Sequence, residues 1–151
     1  MLLVLGEPHM KNTPQKQKML GTFVTDMLFY VNQLHLTHWL TLKNHHHVIV
    51  GELYEELESE LDELAEQFLG ASLPEMKPEE ALYLAQGVKT PRNYRIVKTE
   101  QEIIGLVEEI TAYANEALQA VENDPTYSFM RDSIMDIIAV LHSSKYQISQ
   151  E

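Results

Sequence analysis

Five of the chain's seven histidines fall between Gln33 and Val48. The stretch reads His35-Leu-Thr-His38-Trp39 and then, after a short polar interval, His45-His46-His47. His35 and His38 are three residues apart and share a helix face. If the chain reverses near Lys43 and Asn44, His38 comes level with Ile49 and Val50 of the next helix. His47 then lies within about a turn and a half of His38. Imidazoles from two facing helices can begin a metal site inside a bundle. Further on, Glu55, Glu58, Asp62 and Glu66 recur at three- and four-residue spacing beside an apolar stripe. Carboxylates so placed suit a hard cation such as iron, manganese or magnesium. Plainer readings stand beside these: His35 and His38 as hydrogen-bonded core or boundary residues, His45 and His46 as a polar turn, the acids as a solvated face.

The spacing limits what can share an ion. On one helix the fifteen residues from His47 to Asp62 cover about 22 Å, too far for a common metal within one chain. A two-fold mate with its second helix antiparallel would bring its Asp62 and Glu66 to the His47 end, making two identical sites per dimer.

Four helical periods must position these groups. The first runs from about Gln15 to Leu42, with Leu20, Phe23, Val24, Met27, Leu28, Val31 and Leu34 as its stripe. The second runs from about His46 to Leu69 through Val50, Leu53, Leu57, Leu61, Leu64 and Phe68, with Gly70 as its stop. The third opens on a Thr99/Glu102 capping box and continues to Val121. The fourth is expected after Asp124-Pro125, read as N-cap and first helical residue, with Phe129, Met130, Ile134, Ile137, Ile138 and Leu141 facing inward.

Short links at residues 43–45 and 123–125 make antiparallel neighbours. The long connection, residues 71–98, carries three of the six prolines and a short helix over Pro78–Gln86. It can return the chain along the bundle, so the expected fold is all-α: a ferritin-like four-helix bundle with one long crossover between helices two and three. Residues 1–151 read as one domain, with residues 1–14 as an N-terminal arm. Met1–Leu5 is too short, and lacks the flanks, to be a signal peptide, and reads as a docking arm or as an upstream start that adds little.

Composition narrows the partners. A net charge of -12 and the absence of a basic tail argue against nucleic acid, whose affinity comes from Lys and Arg displacing counterions. Surplus carboxylates favour cations. No apolar run approaches the roughly 20 residues a membrane span needs. The absence of cysteine excludes disulfides and thiol nucleophiles and fits a reducing cytoplasm.

The stretch from His38-Trp39 through His47, Glu52-Leu-Tyr54-Glu55-Glu56-Leu and Asp62-Glu-Leu-Ala-Glu66 resembles the iron-site region of the Dps-type mini-ferritins. It is still more similar in pattern to small Dps-like proteins encoded by tailed bacteriophages, in which case the cytoplasm would be the host's. The resemblance covers residues 34–70 and elsewhere rests on helix order and length. It implies an intersubunit site where a helix-one His and a helix-two His meet an Asp and a Glu of the two-fold mate, bind Fe(II) and oxidise it. It also implies a homo-oligomer, a dimer at least and in the family a twelve-subunit shell. By position His47, Asp62 and Glu66 match the second His, the Asp and the Glu. For the first His, His38 keeps the following Trp, whereas His35 keeps the family's spacing of twelve to His47. Both stay open at this point.

Iron is the expected metal; zinc or manganese would fit the same donors. Three alternatives remain: a bundle acting as a structural or interaction protein without ferroxidase activity, a ferritin-type site within one chain, and a metal-dependent hydrolase. The last lacks a His-Glu-x-x-His motif. The single-chain site lacks a carboxylate-x-x-His pair on helices two and four.

Overall fold

The computed structural model describes residues 14–70 and 78–150. Most of the expected N-terminal arm, and residues 71–77 of the long connection, lie outside the described residues. The described residues form five α-helices: α1 (Pro14–Leu40), α2 (Asn44–Gly70), α3 (Pro78–Lys89), α4 (Glu100–Val121) and α5 (Arg131–Ile148), with a 3-10 turn at Ser128–Met130. They pack in pairs, α1 on α2, α4 on α5, α2 on α5, and α3 and α4 on α1. Among the described residues no helix is long and apolar enough to cross a membrane.

The core follows the three-four stripes. Leu20, Met27 and Leu34 of α1 meet Val50, Leu57 and Leu64 of α2, Ile103 and Ile110 of α4 and Ile134, Ile137 and Leu141 of α5, each with 0% of its surface exposed. Burying one such side chain contributes about 1.5–3 kcal/mol. Truncating Leu57 to Ala would cost about 2–5 kcal/mol, since the hole it leaves closes only partly. Leu28 departs from its expected place and is 38% exposed. Met27 takes the inward position, and a step of about 100° around the helix carries Leu28 to the surface.

Local chemistry sets the start of α4. Thr99 accepts the Glu102 N–H (3.2 Å), and the Glu102 carboxylate accepts the N–H groups of Thr99 (3.1 Å) and Lys98 (3.2 Å). Those N–H donors, Thr99 first, hold the Glu102 carboxyl below the usual carboxylate range. The entry to α5 differs from expectation. Asp124 does not cap that helix: its Oδ1 accepts the Thr126 N–H (2.9 Å) and its main-chain oxygen the Ser128 N–H (2.7 Å). Its other carboxylate oxygen lies 2.7 Å from Lys16 Nζ, in a pair with both side chains under a tenth exposed. The tight turn buries Tyr127, leaves Phe129 43% exposed, and delays α5 to Arg131.

The connection from α3 to α4 is fastened along α1. Gln17 donates to Glu80 (2.6 Å), Arg92 Nε to Asp26 (2.9 Å), and Gln33 exchanges two hydrogen bonds with the Arg95 main chain (2.8 and 3.0 Å). Both members of each pair rise in number, so the connection runs with α1 and delivers Glu100 to the start of α2, 3.3 Å from His46. Gly87 permits the closest approach, because a Cβ there would run into the Thr25 side chain. Asp26 is the common anchor, accepting Arg92 on one oxygen and the Tyr113 hydroxyl of α4 on the other (2.5 Å). α4 then runs antiparallel to α1, as Tyr30–Glu109 and Asp26–Tyr113 contacts require.

Candidate metal centre

His38 lies in the last turn of α1 and His47 in the first turn of α2. Their rings stack at 3.8 Å between centroids, 19° from parallel. Each also holds the other's backbone: His38 Nδ1 donates to the His47 carbonyl (2.7 Å), and His47 Nδ1 to the His38 carbonyl (2.8 Å). A carbonyl only accepts, so both Nδ1 atoms carry protons, and in the neutral rings the lone pairs are left on Nε2. An Nδ1–H fixed on a carbonyl is the support that metal-binding imidazoles use to set tautomer and orientation. The exchange also satisfies the His38 carbonyl, one of those left over at the end of α1.

Gly51 makes the crossing possible. A Cβ at this position would lie 2.8 Å from His38 Cε1 and 3.0 Å from its Nδ1, so only a glycine lets the ring lie flat against α2. His35, one turn earlier, belongs to another contact. It stacks on Tyr54 at 4.2 Å and 15°, touches Trp39 at 4.7 Å, and stands 6.3 Å from the His38 ring. The structure therefore pairs His38, not His35, with His47.

Asp62 and Glu66 stand exposed toward the far end of the same unbroken helix, about 22 Å along it from His47. With Ser59, Glu63, Gln67, Gly70 and Phe129 they line an open groove of about 700 Å³. Among the described residues no three metal-type donors converge within the chain. One end of α2 thus offers two imidazoles and the other end carboxylates. This donor set, neutral nitrogen and charged oxygen without thiolate, fits iron, manganese or zinc when the two ends come from different copies.

Two neighbouring features went unread in the sequence. His46, taken there for part of a polar turn, is 1% exposed, with Nε2 3.3 Å from Glu100. Its spacing to Val50, Leu53 and Leu57 already places it on the core stripe. His45 reaches the Gln147 carbonyl of α5 (2.7 Å). On the opposite flank of α2, burial first and Asp136 of α5 second push the Glu60 carboxyl above its usual range.

By class the protein is all-α, its described residues forming five helices packed in pairs, with two imidazoles face to face at one hairpin tip. No protein-family model, curated protein or solved structure matches it.

Proposed function

We propose that the protein is a Dps-like member of the ferritin-like class that binds Fe(II) between two subunits and oxidises it for sequestration. The observation that carries the reading is the reciprocal His38–His47 pair, with each Nδ1 tied to a carbonyl. Support comes also from the course of the connection beside α1, which suits a one-crossover bundle. In this reading the imidazoles of one subunit and Asp62 and Glu66 of its two-fold mate take the ion as substrate. Fe(II) loses one electron to an external oxidant, dioxygen or hydrogen peroxide. The carboxylates stabilise the Fe(III) formed, because the added positive charge strengthens hard oxygen ligation.

Aerobic Fe(II) oxidation followed in the near ultraviolet, with elemental analysis of the purified protein, tests this. Oxidation faster than in buffer, lowered by His47→Ala and by Asp62→Ala with helicity intact, is the expected result. A wild-type chain that neither holds metal nor speeds oxidation would reject it. A structural or interaction protein without ferroxidase activity is the second reading. Trp39 and Leu42 favour it, 66% and 72% exposed at the hairpin tip where a partner can cover them.

A further inference from the structure

The exposed face of α2 is acidic to a degree that opposes self-association. It carries seven exposed carboxylates between Glu52 and Glu66, and the helix contains no Lys or Arg. The whole chain has a net charge of -12. Two copies meeting through α2 set this face against its own image. Most of the contact then opposes like charges at short range, which costs free energy until ions screen or neutralise it. Antiparallel pairing relieves this at the two ends alone, where each imidazole pair meets carboxylates of the other copy.

Trp39, Leu42 and Val48, exposed beside those imidazoles, supply apolar surface for the same contact.

We infer that a divalent metal ion is the fastener of this dimer: without it the two α2 faces repel, and with it His38 and His47 of one copy are bridged to Asp62 and Glu66 of the partner subunit. The inference rests on the intersubunit reading above and adds that assembly is switched by the ion. Each of the two seams gains one ion, so the coupling enters twice. If the ion binds only the dimer, metal at ten times the site dissociation constant tightens dimerisation by about a hundredfold. By linkage, metal affinity rises with protein concentration.

Sedimentation velocity of the full chain, in EDTA and then in Mn(II), tests the switch. Monomer in EDTA at low salt and dimer in Mn(II) is the expected pattern. At about 1 M salt, where the screening length falls to about 3 Å, dimer should appear without metal. His47→Ala and Asp62→Ala should each stay monomeric in Mn(II), with circular dichroism confirming the fold. Mixed in equal amounts they should regain a metal-dependent dimer, because one seam then holds an unaltered imidazole pair opposite unaltered carboxylates.

A dimer already present in EDTA at low salt overturns the switch. The intersubunit reading survives that result if Mn(II) still binds and His47→Ala abolishes binding. No Mn(II) binding to wild type at all, or binding to a chain that stays monomeric, overturns both.

Discussion

Gly51 of α2 lies directly beneath the His38 ring of α1, so near that a single added methyl would meet its Cε1 at 2.8 Å. The ring cannot retreat without releasing the His47 carbonyl. Alanine suits a helix interior better than glycine by about 1 kcal/mol, but displacing the ring gives up a hydrogen bond of similar worth, so Gly51→Ala should leave thermal stability unchanged or slightly lowered. Metal affinity should nonetheless fall about 10- to 100-fold, as it does when the support of a ligating imidazole is disturbed. Thermal melts and metal titrations on one sample separate the two effects. Unchanged affinity would show that the placement of His38 has no part in binding.

His38→Asn divides the same residue differently. An asparagine side-chain NH₂ can donate to the His47 carbonyl in place of Nδ1, but it has no counterpart of the Nε2 lone pair. The melting temperature should stay within a few degrees while metal binding is lost. His38→Ala gives up the hydrogen bond as well and should cost about 1 kcal/mol more in urea unfolding. Retained binding in the asparagine variant would remove His38 from the ligand set.

Asp26 ties three elements through one carboxylate, with Arg92 and Tyr113 as donors. Asp26→Ala removes the counter-ion of a guanidinium whose side chain is 15% exposed but which keeps the Gly87 and Thr90 carbonyls as acceptors, at a cost of about 1.5–3 kcal/mol. It should also lower the Tyr113 pKa, since burial raises that phenol first and the Asp26 contact next. Urea melts give the first quantity and ultraviolet titration of tyrosinate the second. A loss below about 1 kcal/mol would mean the connection is held by its apolar contacts instead.

Alkaline pH should unfold the protein through its buried phenols. Burial first, then Glu80 and Asp124, push Tyr127 up to about 12, and Tyr30 and Tyr113 are raised as well. A folded-state pKa above the unfolded value of about 10 gives stability that is complete below pH 10. For Tyr127 that contribution fades as pH climbs through its folded value of about 12. A late step in tyrosinate absorbance should therefore coincide with the loss of helical circular dichroism, and a tyrosinate rise with no such late step would contradict this. The sign reverses for Glu102: its lowered pKa stabilises above the usual carboxylate range and is lost on acidification.

Much of the fold could be read from periodicity because apolar stripes recur where helices must bury one face. Leu57 and Ile110 are at 0% exposure where their spacing puts them, and Thr99 and Glu102 cap α4 as a pair. Buried charge has no such signature. Lys16 and Asp124 meet across 108 residues of sequence, and that contact draws Asp124 into a turn and postpones α5. At the site, spacing brought His35 and His38 forward equally. What separates them is the missing side chain of Gly51, which opens α2 to His38, and the face of Tyr54, which occupies His35. The carboxylate end stays apart from the imidazoles because no single helix can fold back on itself.

Residues 41–43 are all that joins α1 to α2. So short a tether hands the rotational phase of one helix to the next. One inserted residue would swing α2 by about 100° and shift it about 1.5 Å. Most surface turns tolerate a change in length. This one behaves as a gauge block, and the stacking of His38 on His47 is tied to the tally of backbone atoms there.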